Sequence, residues 1–440
     1  MVKKTVILDF ISKIIISILV SILFYLIYRA YLPWTSVSNY LFYVFITLIF
    51  ILAFILSLYL NQVHKIVFYI LFSIFIISIY SIEYKFLHHD WRIVKSSIEN
   101  PDTRSKYKVY KDLKNNNEGV VVEVLPVYNI LRSSKLHPNL FTLSGVSNSL
   151  TIGCNERGFY RTYRSDKFGF NNPNYVWQKK NIDYLFIGDS MVHGACENRP
   201  DDIASVIRNS YNLNALNLGY GGNGPLIELA TLREYYKKNT KNIAWFFFEG
   251  NDFANLEVEL SNRILSKYLY DDTFTQNLKN NQNIVNDIAR EVINFEFKNQ
   301  FFKFLKLYNV RLSLLNYRTL FKSHKVYTVE IVDEIVISEF KKIILKAKNF
   351  ANENNSNFYF FIIPDIERYN FNQNNLDILK TNKTKLINFL EKNEIVYFDL
   401  YDDLFINYKK EEIFNKIPHH HLNKKGYNLL GNYIYKKTYN

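Results

Sequence analysis

The sequence predicts an α/β fold, a three-layer doubly wound parallel sheet preceded by an N-terminal transmembrane helical segment. Three observations predict it. The chain opens on long apolar runs almost free of charge, and beyond them short apolar runs alternate with helical patterns. Two of the short runs stop abruptly at small polar turns, Gly188-Asp189-Ser190 and Gly250-Asn251-Asp252. Alternating strands and helices imply a parallel sheet covered on both faces. Such sheets bind their ligands at the carboxyl edge of the strands.

The N-terminal segment comes first. Ala30 to His64 contains no Asp, Glu, Lys or Arg, Ile66 to Ile82 is likewise uncharged, and the apolar Ile14–Tyr28 is bracketed by Lys13 and Arg29. A bilayer crossing takes ~20 apolar residues, so three spans are expected near Ile11–Tyr31, Tyr40–Leu60 and Ile66–Lys85. Pro33 and Trp34 mark the first turn and Asn61 to Lys65 the second. A cleaved signal peptide would show one short apolar core and a small-residue cleavage site, which three successive runs do not. Lys3, Lys4, Lys13 and Lys65 against Arg29 favour the N-terminus and second loop on the cytoplasmic side. Three crossings then leave the remainder extracytoplasmic, on the outer face of the cytoplasmic (inner) membrane.

The expected organisation is a membrane segment over 1–88, a connector and small accessory region over 89–178, and the α/β domain over 179–440. In the accessory region Asn115-Asn116-Asn117 reads as a loop, Gly119–Pro126 as a strand, and Ser165 to Pro173 as a turn-rich lead-in. Strands of the main domain are expected at Asp183–Ile187, Leu213–Asn217, Ile243–Phe248, Asn357–Ile363 and Ile395–Leu400. Helical patterns lie at Asp201–Tyr211, Leu226–Lys238, Ile335–Glu353 and Leu376–Asn393. The stretch from Ala254 to Val329 exceeds what one crossover needs, so a helical insertion or lid is expected near 254–334.

The formal charge is +13 with a pI near 9.2. Lys and Asn are spread along the chain without an Arg-rich face, so a surface attracted to anionic lipid or acidic glycan is the simpler reading than nucleic acid. No motif implies a nucleotide, metal or redox cofactor.

Four blocks carry chemistry, each at a strand or helix end. Tyr184 to Ser190 ends at Gly-Asp-Ser and sets a hydroxyl where a starting helix offers free N–H groups to an oxyanion. Alone this is equally an ordinary βα turn with a Ser or Asp N-cap. Asn217 to Pro225, Asn-Leu-Gly-Tyr-Gly-Gly-Asn-Gly-Pro, has the glycines that let a backbone amide approach a substrate. Ala244 to Phe253 is a second buried strand ending in Gly-Asn-Asp. His421 to Tyr427 supplies an imidazole just ahead of a helix.

With these residues in place the chain resembles the SGNH (GDSL-like) hydrolase family over roughly Asp183 to Asn440. The resemblance implies Ser190 as nucleophile, His421 as general base, and an oxyanion hole from the Ser190 and Gly222 amides and the Asn251 side chain. The third block departs from the family pattern, reading Glu249-Gly250-Asn251-Asp252. The last block departs further. The family has Asp-x-x-His, and here Pro418 stands three before His421. The third triad member orients the imidazole. Its absence leaves a backbone carbonyl, an acid from elsewhere with Asp399, Asp402 and Asp403 nearest in sequence, or an inactive site. His419 and His420 read as flanking loop residues, since adjacent side chains do not converge on one ion. His193 reads as lining or supporting the pocket.

The implied function is a membrane-anchored serine esterase or O-acyltransferase acting on acyl, chiefly acetyl, esters of cell-surface glycan. A lipase or thioesterase using the aromatic stretch Phe295–Leu305 as an apolar trough is the alternative within enzymes, and an inactive glycan-binding or assembly subunit the alternative outside them. Expected partners are lipids of the cytoplasmic membrane, a glycan or acyl-ester substrate and, for transfer, a membrane acyl-donor protein. No nucleic acid is expected. The two cysteines, Cys154 and Cys196, leave two readings open: a disulfide clamping the accessory segment beside the site, favoured by an oxidising compartment, or two unrelated buried thiols.

Overall fold

A computed structural model describes residues 2–30, 37–94, 96, 98–116, 119–127, 130, 137–321, 332–370, 373–416 and 421–439. The chain divides into two units, Met1–Tyr84 and Lys85–Asn440. The first holds α1 (Val2–Ala30), α2 (Val37–Leu58) and most of α3 (Gln62–His88). By length and composition the stretches Ile7–Arg29 and Gln62–His88 suffice to cross a membrane, and the apolar stretch Tyr43–Leu58 of α2 is shorter. Polar groups in this unit face one another. Ser12 Oγ meets Ser57 Oγ at 3.1 Å and Tyr69 Oη at 2.6 Å, and Lys65 pairs with Asp9. Phe54 is buried between Phe68 and Phe72.

After the end of α3 and a single helical turn at Trp91–Val94, the second unit has α4 (Lys106–Asn116) and a small sheet of β1 (Val120–Val122), β2 (Leu150–Ile152) and β3 (Thr162–Arg164). There β1 and β2 are parallel, and β2 and β3 antiparallel. The sequence marked only the first of these strands, because three-residue strands leave no measurable alternation.

The main sheet follows. Its elements are β4 (Ile182–Ile187), the short α5 (Ser190–His193), α6 (Ile203–Tyr211), β5 (Ala215–Asn217), α7 (Pro225–Tyr235), β6 (Thr240–Phe248), α8 (Asp252–Glu259), α9 (Arg263–Tyr270), α10 (Gln282–Lys298), α11 (Gln300–Leu305), α12 (Tyr308–Phe321), α13 (Glu334–Glu353), β7 (Asn357–Ile363), α14 (Gln373–Lys392), β8 (Val396–Asp399) and α15 (Lys424–Thr438). The strands are all parallel in the order β5-β4-β6-β7-β8. This is a doubly wound sheet whose order reverses beside β4, the position where such folds bind ligands.

Alternation along the strands makes two cores, one on each face. Leu185, Ile187, Trp245, Phe247 and Phe360 pack with α7, α13 and α14. Tyr184, Phe186, Ala244, Phe246 and Phe361 pack with α6 and α15. The described part of the insertion after β6 is helical. Its α9 and α10 join the first core, and Ala289 and Ile293 of α10 also pack against Val120, Val121 and Val122 of the small sheet. It braces the accessory region, while the side chains of Ser190 and His421 bond each other, Asp189 and Glu156.

Phe186 is fully buried against Tyr184 and Phe246. Phe186→Ala should cost about 3–5 kcal/mol, whereas Ile187→Val on the opposite face should cost about 0.5–1.5 kcal/mol. Urea unfolding of the intact chain in detergent measures both.

Candidate active site

The parallel order puts the ends of β5, β4 and β6 side by side, so the loops after them leave the sheet at one edge. Residues 188–190 follow β4, 218–224 follow β5 and 249–251 follow β6. Buried Asp189 N-caps the short α5 through the Met191 N–H at 2.8 Å, which turns Ser190 out at the strand end. His421 arrives from the other side of the chain. An isolated bridge between Phe414 and Leu422, with Asn415 N donating to His421 O at 2.9 Å, holds its backbone just before Asn423 caps α15.

The two side chains meet. His421 Nε2 lies 2.9 Å from Ser190 Oγ, which is also 3.2 Å from Asp189 Oδ2. On the far side of the ring, His421 Nδ1 lies 2.9 Å from Glu156 Oε1, and the His421 backbone N–H donates to Glu156 Oε2 at 3.2 Å. A buried carboxylate therefore fixes both the ring and the main chain of the histidine. Burial by itself would lower the His421 pKa, but the charge and hydrogen bond of Glu156, with Asp189 and Glu123 behind, raise it. An imidazole so held can take the serine proton through Nε2 while Nδ1–H stays bonded to the acid.

Glu156 corrects the expectation for the third member. The acid bonded to His421 comes from elsewhere in the chain, but from the accessory region. Asp399, Asp402 and Asp403 are committed away from the histidine. Asp399 pairs with Lys383 and accepts the Tyr401 and Asp402 N–H groups, Asp402 pairs with Lys383 at 2.7 Å, and Asp403 accepts from Tyr433 Oη at 2.6 Å. Nothing in the local sequence singles out Glu156. The one hint is its place two residues after Cys154, and Cys154 and Cys196 are disulfide-bonded with Cα atoms 5.1 Å apart. Pro418, His419 and His420 lie outside the described residues.

The other site residues lie on the expected loops. Gly222 has φ +71°, and a Cβ there would meet Val127 Cγ1 at 3.3 Å and Leu125 Cδ1 at 3.4 Å, so both conformation and space call for glycine. Asn251 precedes α8 without capping it, and its buried side-chain oxygen has no hydrogen-bond partner among the described residues. Asp252 Oδ2 accepts the Phe248 N–H at 2.7 Å and closes the turn that presents Asn251. Glu249, at the departure from the family pattern, pairs with Arg368 at 2.9 Å; burial pushes its pKa up to about 7. His193 is fully buried and supports the site. Its Nδ1 lies 3.0 Å from Gly219 O and its Nε2 3.4 Å from Glu123 Oε1, and burial pulls its pKa down to about 4. Neutral at ordinary pH, it ties the nucleophile turn to the glycine loop.

The Cys154–Cys196–His421 cluster brings ligand-type atoms within 4.8 Å of one another. With both sulfurs in a disulfide, it offers no thiolate set to a metal.

In a chain with ester turnover, Glu156→Gln should lower kcat by ~10²–10⁴. It should also move the acid limb of the pH–rate profile to lower pH, because the charge that raises the His421 pKa is gone. Asp403→Asn should leave both unchanged. A profile of kcat against pH for the three proteins checks this.

The fold and the order of the four blocks along it are those the SGNH resemblance implied. No protein-family model matches the chain, and no curated protein matches it. Among solved structures the chain is similar to a protein from Desulfitobacterium hafniense DCB-2 described as lipolytic, of the G-D-S-L family. Identity is 14%, the match covers 58% of this chain and 99% of that one, and the TM-score is 0.34. It is also similar to a member of the lipolytic G-D-S-L family from Veillonella parvula DSM 2008, with 11% identity, 58% and 98% coverage and a TM-score of 0.32.

Proposed function

We propose that the Lys85–Asn440 unit is an SGNH-type serine ester hydrolase or O-acyltransferase, anchored to a membrane by the N-terminal helices and acting on acetyl esters of cell-surface glycan. The observation that carries this reading is the continuous chain from Ser190 Oγ through His421 to Glu156. Ser190 Oγ attacks the ester carbonyl as its proton passes to His421 Nε2. The Ser190 and Gly222 amides and the Asn251 side chain receive the oxyanion, where loss of one donor typically costs ~10²–10³ in rate. Collapse of the tetrahedral intermediate expels the alcohol, which takes the proton from His421 and leaves an acyl-serine. Water, or a sugar hydroxyl in the transfer case, then attacks the acyl-serine by the same proton path in reverse.

Two features favour a hydroxyl-rich substrate. A cleft of about 900 Å³ borders Glu156, and Arg157, Asn415, Asn423, Lys424 and Asn428 are among the polar side chains that line it. A lipase would favour an apolar trough, and the aromatic stretch Phe295–Leu305 lies instead on an exposed part of the insertion, with Phe301 66% exposed. The inactive-subunit reading drew its support from the acid missing before His421, and Glu156 removes that support.

Ser190→Ala and His421→Ala should each abolish turnover of acetyl esters and labelling by a fluorophosphonate in the full chain, with folding intact. The double variant should be no worse than either single one, since triad members act as a unit. Turnover by Ser190→Ala at the wild-type rate would remove the serine mechanism.

The extracytoplasmic location is tested separately. A phosphatase reporter fused after Lys95 should be active and a cytoplasmic fluorescent reporter there dark. The reverse pattern would take surface glycan out of contention.

A further inference from the structure

Glu156 lies on an irregular connection between β2 and β3, an unusual support for a group whose position has to be held to a fraction of an ångström. The residue before it ties the loop within the accessory region. The Asn155 side chain bonds Asp102 O at 2.9 Å and the Gly158 N–H at 3.0 Å, fixing the loop only to its neighbours. The ties that reach the nucleophile side flank Glu156. Two residues before it, Cys154 is bonded to Cys196; one residue after it, Arg157 Nη1 bonds Glu197 Oε2 at 2.5 Å. Cys196 and Glu197 are consecutive, on the connection that leaves the short helix begun by Ser190.

We propose that the Cys154–Cys196 disulfide is a positioning element of the catalytic site, holding Glu156 against His421 so that the triad is complete only when the bond is formed. The inference rests on the esterase reading above.

Three observations support it. Cys196 Sγ lies 3.7 Å from His421 Nδ1, the nitrogen that Glu156 bonds, so the disulfide packs against the imidazole–carboxylate pair itself. Cys196 is held at φ +63°, a left-handed conformation that costs a non-glycine residue free energy and persists only where the surroundings enforce it. The remaining flanking tie, Arg157 to Glu197, has an arginine side chain 35% exposed. Opening the disulfide therefore removes the one covalent tie flanking Glu156 and leaves this ion pair, whose Glu197 side chain is buried, with the more distant bonds of Arg161 to His193 O and of the Thr162 N–H to Asn198 Oδ1.

The groups that face His421 are Ser190 Oγ, the Cys196 sulfur and the carboxylates of Glu156, Asp189 and Glu123. Of the three carboxylates only Glu156 bonds the ring. If the disulfide positions Glu156, opening it should lower the His421 pKa and leave Ser190 in place.

The test uses the full chain in detergent, labelled at the histidine ring carbons, with His421 assigned by its loss in His421→Gln. Its titration is followed by NMR in the oxidised chain, after reduction, in Cys154→Ser/Cys196→Ser and in Glu156→Gln. Reduction is by dithiothreitol, which closes to its own cyclic disulfide as the two cysteines become thiols. The His421 pKa should fall in all three altered forms. The rate of fluorophosphonate labelling at Ser190 should fall about 10–10²-fold on opening the bond, the scale of a 1 Å misplacement. In Glu156→Gln, opening the bond should cause almost no further loss, because the disulfide acts through that carboxylate. A merely structural bond would instead lower stability in both backgrounds and leave the titration unmoved. An unchanged His421 titration in both the reduced chain and the serine double variant would overturn the proposal. A titration that shifts as expected in a chain that turns over no ester would retain the positioning role and remove the esterase reading.

Discussion

Pairing of β4 on both edges is the constraint from which the site follows. Its register runs Tyr184 opposite Ala215 on one side and Ile187 opposite Trp245 on the other, with both faces buried. A slip of one residue would exchange Leu185 and Ile187 with Tyr184 and Phe186 between two differently shaped cores, so the register is strongly specified. That same register fixes where β4 stops, and hence where Ser190 emerges between the loops that carry Gly222 and Asn251. Burying five of its six residues this way, β4 gives its terminal turn a rigid base.

Beneath that edge lies a set of polar groups whose burial would be costly if unmet. Asn217 Nδ2 donates to Val192 O at 2.6 Å, and Arg161 Nη2 and Asn171 Nδ2 both donate to His193 O. Asn172 takes the Asn217 N–H and gives its own amide to Asn217 O, which stitches the lead-in loop to the end of β5. Glu259 accepts the Gly224, Leu226 and Ile227 N–H groups at the start of α7, and burial pushes its pKa up to about 8. A carboxyl so raised favours the folded state fully below its unfolded pKa. That advantage fades as pH climbs from there toward about 8, because the unfolded chain releases the proton first. The polar floor of the site is thus stiff, and more stable in mild acid than in base.

The accessory region then completes what the sheet leaves open. It brings Glu156 to His421, lays Leu125 and Val127 against Gly222, and places Glu123 near His193. Helix α10 fastens it through Ala289 and Ile293, while Phe297 stacks on Tyr110 at 4.7 Å. The long stretch after β6 is therefore a brace for the part that carries Glu156.

Elements whose signal is local were legible in the residues alone. Short apolar runs bounded by turns marked all five main strands, and Asn357–Ile363 coincides with β7 to the residue. Gly-Asp-Ser, the glycine loop, Gly-Asn-Asp and the His421 block were legible as short patterns at strand or helix ends, because turn chemistry is set by a few adjacent residues. Tertiary structure alone decided the rest. Glu156 and His421 are 265 positions apart, and no periodicity or turn motif links a carboxylate on an irregular loop to an imidazole at that separation. Nearness in sequence pointed instead to Asp399, Asp402 and Asp403, which Lys383 and Tyr433 had already claimed. The cysteines stayed undecided for the same reason: a disulfide needs Cα atoms brought within ~7 Å, and only the packing of the accessory region on the sheet edge brings Cys154 to Cys196.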